Sequence, residues 1–370
     1  MRVAIPAVIL CEPRAGEPKI AALTLLDRLV VAVHRGGCHP ITIVCRGETP
    51  PLRRSTALGI VPRNSPSMTV LTEPTLLADA NFLVSPSDVR RVVESGSRLT
   101  GTDDEPLPIG VVSAFTGDLQ KSLAGLPEIR AEKIAAVVKD APSAHRAEAA
   151  LWASLTSSTD GKVDVYFNRP VGRYLSKLLI HTPITPNQIS ILSMLIGLAA
   201  AWYFQTGVYA ATILGAVLLQ VSAIVDCVDG DIARILFKES PLGKWLDITA
   251  DQIVHLAVFA GIAVGLARQN SDAPELALGI SAVVGVLISF GVVLRGMLRP
   301  GPVRNARLER LIDTATSRDF SVLLLALAIF GKLEWFLWIT AIGVHFFWVT
   351  ALVLQLAPIR RAESAASPRP

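Results

Sequence analysis

Cysteine is scarce in this chain: Cys11, Cys38, Cys45 and Cys227 are its four thiols in 370 residues. Their spacing matches no metal-ligand or redox pattern, so reduced thiols in a cytoplasmic setting are expected. The N-terminus lacks a charged n-region, an apolar h-region and a cleavage site, and no signal peptide is expected. No motif points to nucleic acid, although the net charge is +4 and the pI about 9.0. Charged residues are few, at 18%, while hydrophobic residues reach 51% and the mean hydropathy is +0.48. That is too apolar for an ordinary soluble protein.

The apolar excess is uneven. Residues 1–160 read as a soluble α/β domain, whereas residues 187–357 carry long apolar stretches. Six spans are expected, at about 187–206, 209–233, 245–267, 275–298, 319–332 and 334–357, the fifth of them short. Runs of roughly 20 apolar residues suit a hydrocarbon core of about 30 Å. Basic residues collect in alternate loops. Arg234, Lys238 and Lys244 lie between the second and third spans, six arginines from Arg295 to Arg318 between the fourth and fifth, and Arg360 and Arg361 in the tail. The opposite loops are nearly bare. The positive-inside rule then places both termini on the cytoplasmic side of the cell membrane.

The first domain opens on an apolar run at 3–10, a Gly/Pro-bearing turn, an amphipathic helix (LTLLDRLVVAVHRGG) and a second apolar run (ITIVC). This is a βαβ start and predicts a parallel sheet. Segments at 69–71, 76–84 and 108–115 can add strands.

The chemistry concentrates between Asp226 and Asp251. The informative positions read Asp226-x2-Asp229-Gly230-x2-Ala233-Arg234-x8-Gly243-x3-Asp247-x3-Asp251. Asp226, Asp229, Ala233 and Arg234 fall on one face of a helix. Gly243, Asp247 and Asp251 fall on one face of the next. Four carboxylates at the edge of an apolar bundle repel each other and lose hydration. They become tolerable when they share divalent cations.

This pattern resembles the CDP-alcohol phosphotransferases, integral membrane enzymes with the same spacing at every position. The resemblance implies that a CDP-linked donor loses CMP to an alcohol, forming a phosphodiester. Asp226, Asp229, Asp247 and Asp251 would hold two Mg²⁺ or Mn²⁺ ions, as all-oxygen ligands suit. Asp251 matches the family position that accepts the hydroxyl proton. Gly230, Arg234, Ser240 and Gly243, with Pro186 and Asn187 in TPNQIS, would surround the nucleotide. A basic pocket near the fourth and fifth spans would hold an acceptor phosphate, with Arg295, Arg299 and Arg304 as candidates. A homodimer is also implied. His255, His345 and Trp348 read as bundle residues.

The first domain resembles the sugar-nucleotide cytidylyltransferases in layout. Pro18-Lys19 and Asp79 stand where that family places its basic pair and metal-holding aspartate. The loop departs from it: Cys11, Glu12, Pro13, Arg14, Ala15 and Gly16 replace the consecutive glycines that a phosphate cradle needs. A domain that no longer transfers nucleotides is expected. The pairing of the two domains resembles the fused enzymes that make CDP-inositol and join it to inositol phosphate.

The expected organisation is therefore an α/β, nucleotidyltransferase-like domain at 1–150, a linker with an amphipathic interfacial helix at 151–182, an all-α bundle of six transmembrane helices at 183–358, and a tail at 359–370. Three functions stand open: transfer from a CDP-inositol-like donor to an inositol-phosphate-like acceptor, lipid synthesis from CDP-diacylglycerol, and a nonenzymatic nucleotide-binding membrane scaffold.

Overall fold

A computed structural model describes residues 4–12, 19–68, 70–155, 161–269, 274–298 and 320–356. The chain divides into two compact units. The first comprises Met1–Leu155, Lys177–Pro183 and Asp231–Lys238; the second comprises Thr156–Ser176, Ile184–Gly230 and Glu239–Pro370.

In chain order the first unit contains β1 (Ile5–Cys11), β2 (Lys19–Ile20), β3 (Leu23–Thr24), α1 (Leu25–Arg35), β4 (Cys38–Cys45), α2 (Arg53–Ala57), β5 (Arg63–Ser65) and β6 (Thr75–Asp79). There follow β7 (Phe82–Val84), α3 (Pro86–Ser95), β8 (Arg98–Thr100), β9 (Pro106–Val112), α4 (Leu119–Leu123), β10 (Glu128–Arg130), β11 (Ala135–Val137) and α5 (Ala141–Ala153). Seven strands form one sheet in the order β10-β8-β9-β6-β1-β4-β5. Strands β1, β4, β5 and β6 pair in parallel, as the βαβ reading predicts. The sheet is mixed beyond them, because β9 runs antiparallel to both β6 and β8. The link from Thr100 to Pro106 is too short for the crossover that a parallel pair needs.

The predicted apolar run at 76–84 divides into β6 and β7. Asp79 accepts hydrogen bonds from the backbone N–H of Asn81 at 2.7 Å and from its side-chain amide at 3.0 Å, turning the chain between the strands. Residues 70 and 71 lie in no strand. Ile9, Val30, Val33, Ile43, Leu76 and Ile109 fill the core beneath the sheet. Cys38 joins that core, and burial pushes its thiol up to about 12, so it is an inert apolar group at neutral pH.

The second unit is helical. A π-helical turn at Asp164–Asn168 leads into α6 (Arg169–Leu179), followed by α7 (Pro186–Phe204), α8 (Tyr209–Ile235), α9 (Pro241–Gln269), α10 (Glu275–Leu298), α11 (Phe320–Ile329) and α12 (Leu333–Leu356). Helices α6 and α8 end within the first unit. Among the described residues, α7, α8, α9, α10 and α12 are long and apolar enough to cross a membrane. The fifth expected span corresponds to α11, whose ten described residues are fewer than a crossing requires.

Small residues let the bundle pack closely. A Cβ at Gly197 would stand 2.6 Å from Val254 Cγ1, and one at Gly261 would stand 2.5 Å from the Ala201 carbonyl oxygen. Helices α7 and α9 therefore touch nearly backbone to backbone. Gly172 brings α6 against α8 in the same way: a Cβ there would stand 3.2 Å from the Ile224 carbonyl oxygen. Buried Asn168 and Gln220 are hydrogen-bonded, and Ser321 Oγ donates to Gln220 Oε1 at 2.9 Å. This chain of polar groups ties the start of α6 to α8 and α11. It satisfies groups that would each cost several kcal/mol if left bare in hydrocarbon.

Candidate active site

Helix α7 starts sharply. Thr185 caps it, Pro186 occupies its first turn, and Thr185 and Gln188 exchange side-chain-to-backbone hydrogen bonds in a capping box. This places Asn187 at the helix mouth. A Cβ on Gly243, in the first turn of α9, would lie 3.1 Å from Asn187 Oδ1 and 3.1 Å from Ser240 Oγ. Ser240 Oγ also accepts from the Gly243 N–H at 3.0 Å. Pro186, Asn187, Ser240 and Gly243, separated by more than fifty residues in the chain, thus meet in one place.

The carboxylates follow from helix geometry. Asp226 and Asp229 share a face of α8 by their i, i+3 spacing, and Asp247 projects from α9. One oxygen from each of these three lies within 4.8 Å of the others. Asp226 and Asp229 are buried and Asp247 is half-buried. Asp251, one turn farther along α9 and half-buried, lies outside that group of three.

Two hydroxyls missing from the sequence reading complete the cluster. Ser190 Oγ donates to Asp229 Oδ2, and Ser193 Oγ lies 3.4 Å from Asp226 Oδ1. Ser193 is itself anchored, because its carbonyl accepts from Ser222 Oγ at 2.7 Å. The signal was available as serines at i and i+3 on the first turns of α7, directly after TPNQ. Nothing in the sequence alone says which helix that face meets.

Arg234 pairs with Asp231 at 3.1 Å, with the Asp231 side chain fully buried and the Arg234 side chain 40% exposed. Gly230 lies half-buried between two aspartates on α8. Arg295 is exposed near the end of α10, while Arg299 and Arg304 lie outside the described residues, as does most of the loop that includes Pro18. Lys19 is exposed in the short β2–β3 hairpin, and Asp79 sits at the carboxyl end of β6 beside Leu10. His255 stacks on Phe259 and meets Phe320 edge-on, and His345 bonds Ser281 and Trp348. Both histidines are bundle residues.

Three carboxylates this close repel one another by about 3 kcal/mol per pair at an effective dielectric of about 20. A divalent cation would relieve that repulsion. Three hard oxygen donors, that of Asp229 oriented by the Ser190 hydroxyl, fit Mg²⁺ or Mn²⁺ and offer nothing to a soft metal.

Residues 183–349 match the family model for CDP-alcohol phosphatidyltransferase. The chain carries a CDP-alcohol phosphatidyltransferase domain. The match spans α7 to α12, including every carboxylate of the motif. This phosphatidyltransferase domain is similar to the bifunctional IPC transferase and DIPP synthase of Rubrobacter xylanophilus, 32% identical over 137 residues, which are 37% of this chain and 29% of that one. It is similar also to the archaetidylinositol phosphate synthase of Pyrococcus horikoshii, 36% identical over 104 residues, or 28% of this chain and 53% of that one. The phosphatidylinositol phosphate synthase of Corynebacterium glutamicum is 33% identical over 111 residues, or 30% of this chain and 48% of that one. These matches span about a third to a half of the relatives' lengths. A crystal structure of Mycobacterium tuberculosis phosphatidylinositol phosphate synthase with manganese and citrate superposes at a TM-score of 0.38 with 21% identity, over 50% of this chain and 90% of that one.

Proposed function

We propose that this protein transfers a phospho-alcohol group from a CDP-linked donor, CDP-inositol-like, to the hydroxyl of an inositol-phosphate-like acceptor, releasing CMP. The convergence of Asp226, Asp229 and Asp247 carries the reading. Phosphoryl-type transfer demands charge neutralisation and in-line positioning more than covalent help. Mg²⁺ or Mn²⁺ held by the aspartates, two ions in the family pattern, supplies that neutralisation when bound.

The chain's own groups divide the remaining work. Ser190 orients the carboxylate of Asp229, and Ser193, which donates to the Ser190 carbonyl at 2.8 Å, lies beside Asp226. Asn187, Ser240 and Gly243 form a narrow polar mouth suited to the nucleotide, and Gly230 leaves room for it on α8. Arg234, half-exposed, can reach a diphosphate by exchanging its Asp231 partner. Asp251 stands outside the carboxylate triplet, as suits a group that must take the acceptor's hydroxyl proton. Arg295, with Arg299 and Arg304 farther along, meets the acceptor phosphate.

Lipid synthesis from CDP-diacylglycerol is the second reading. Two relatives are named for lipids that carry an inositol phosphate, which favours it. Purified protein with Mg²⁺ and inositol phosphate, given either CDP-inositol or CDP-diacylglycerol, distinguishes the two by which donor yields CMP. No CMP from either donor would leave the membrane scaffold standing.

The proposal extends to setting. The protein is a homodimer in the cell membrane, with α11 belonging to a sixth crossing and both termini and the site cytoplasmic, as the loop arginines favour. The α/β domain is nucleotidyltransferase-like without the transfer activity.

A further inference from the structure

Helix α8 carries Asp226 and Asp229, and its C-terminal end is closed in an unusual way. Lys238 N–H donates to the Ala233 carbonyl at 2.7 Å and Phe237 N–H to the Arg234 carbonyl at 3.3 Å. These are the two bonds of a Schellman cap, with Phe237 at the position that turns left-handed. Its φ is +53°, where glycine is the favoured residue and an aromatic is strained.

Two further carbonyls at this end, those of Ile235 and Phe237, are taken by arginines of the α/β domain. Arg28 Nη1 donates to the Ile235 carbonyl at 2.8 Å. Arg35 Nη2 and Arg54 Nη2 donate to the Phe237 carbonyl at 3.0 and 2.7 Å. The guanidinium carbons of Arg35 and Arg28 also lie 5.1 and 5.9 Å from the centroid of the Phe237 ring. All of these groups belong to the first compact unit, which includes Asp231–Lys238.

The arginines are built in. Arg28 and Arg35 share a face of α1 by their i, i+7 spacing. Arg28 is 2% exposed, and its remaining donors bind the Ile20 and Ala21 carbonyls of the β2–β3 hairpin. Burial lowers its guanidinium to about 10, so it stays charged at neutral pH. Asp27, also buried, accepts from the N–H groups of Arg54 and Ser55 at 2.6 and 2.8 Å, which fixes the start of α2 and hence Arg54. Positive charge at a helix C-terminus is favourable, and this end receives three.

We propose that Arg28, Arg35, Arg54 and Phe237 are positioning residues for the transfer reaction, and that the α/β domain serves as a collar that sets the register of α8 and hence the placement of Asp226 and Asp229. The inference rests on the reading of those aspartates as metal ligands. Ile235 lies six residues beyond Asp229, about 9 Å along a helix, so a small twist at the capped end reaches the carboxylates. The collar also explains why the strained position holds phenylalanine: glycine would relax the backbone and lose the ring beneath the two arginines.

The test is Mn²⁺ binding to the full chain in detergent, read by electron paramagnetic resonance beside CMP release. Phe237→Gly should weaken Mn²⁺ binding by about threefold to tenfold, the scale of a lost cation–π contact. Phe237→Tyr should restore it, and Arg35→Ala and Arg54→Ala should follow Phe237→Gly with the thermal unfolding of the α/β domain unchanged. A cap of purely local importance predicts the reverse: Phe237→Gly would be equally or more stable, with unchanged Mn²⁺ affinity, and that result overturns the collar. Asp226→Asn is the control. If it leaves Mn²⁺ binding intact, the ligand assignment fails first and the collar falls with it.

Discussion

Ser190, on the first turns of α7, donates its hydroxyl hydrogen to the carboxylate of Asp229 on α8. The bond joins two buried side chains 39 residues apart and fixes one carboxylate oxygen of Asp229. Groups that orient ligands in this way typically account for about 10- to 100-fold in metal affinity or activity. Ser190→Ala should cost that much in Mn²⁺ affinity. Ser193→Ala should cost less, since its hydroxyl lies 3.4 Å from Asp226. Equal Mn²⁺ affinity in wild type and Ser190→Ala would show the hydroxyl to be only a packing group.

Metal dependence follows from the triplet itself. CMP release should require Mg²⁺ or Mn²⁺ and vanish on chelation. Asp226→Asn and Asp247→Asn should remove activity while circular dichroism in detergent stays that of the wild type. Full turnover in excess EDTA would sink the assignment.

The acceptor site is tested at Arg295. Losing one charge-assisted contact to a phosphate should weaken binding by about 1.5–3 kcal/mol, or roughly ten- to a hundredfold in acceptor KM. Donor KM should barely move. Arg295→Lys should rescue only in part, because an ammonium cannot form the bidentate fork. If acceptor KM is the same in Arg295→Ala and wild type, this arginine serves topology alone.

The α/β domain should show no CTP-dependent release of pyrophosphate with inositol phosphate. On the proposed nucleotidyltransferase-like reading of this domain, Glu12 and Pro13 take the place of the glycines that a triphosphate cradle needs. Pyrophosphate release that disappears in Lys19→Ala or Asp79→Ala would prove the domain an active nucleotidyltransferase.

The β2–β3 hairpin turns through Ala21 and Ala22, both left-handed, with φ of +45° and +69°. Two-residue hairpins of this form favour Asn-Gly. Replacing Ala22 by glycine should stabilise the α/β domain by about 1 kcal/mol, since a left-handed alanine is strained, whereas Ala21, 3% exposed, has no room for a longer side chain. Hydrogen exchange of the hairpin amides in the full chain would register the gain as slower exchange. Unchanged exchange would mean that Arg28, bonded to the carbonyls of Ile20 and Ala21, already holds the turn.

Much of this molecule was determined by local sequence. The apolar runs of α7 to α10 and α12 dictate helices of membrane-crossing length, because in hydrocarbon every backbone group must bond within its own segment. The spacing of Asp226, Asp229 and Asp247 already implied two carboxylate-bearing helix faces, since 3.6 residues per turn leaves no other placement. The strand-helix-strand start at Ile5 to Cys45 was equally plain.

Only the tertiary structure decided the rest. The antiparallel course of β9 depends on the brevity of one turn. The bond from Ser190 to Asp229 depends on which face of α7 meets α8. The arginines that close α8 come from α1 and α2, some two hundred residues earlier in the chain. Periodicity assigns a residue to a face of its own helix. It carries no information about what that face will meet, because that is settled by packing between elements distant in sequence.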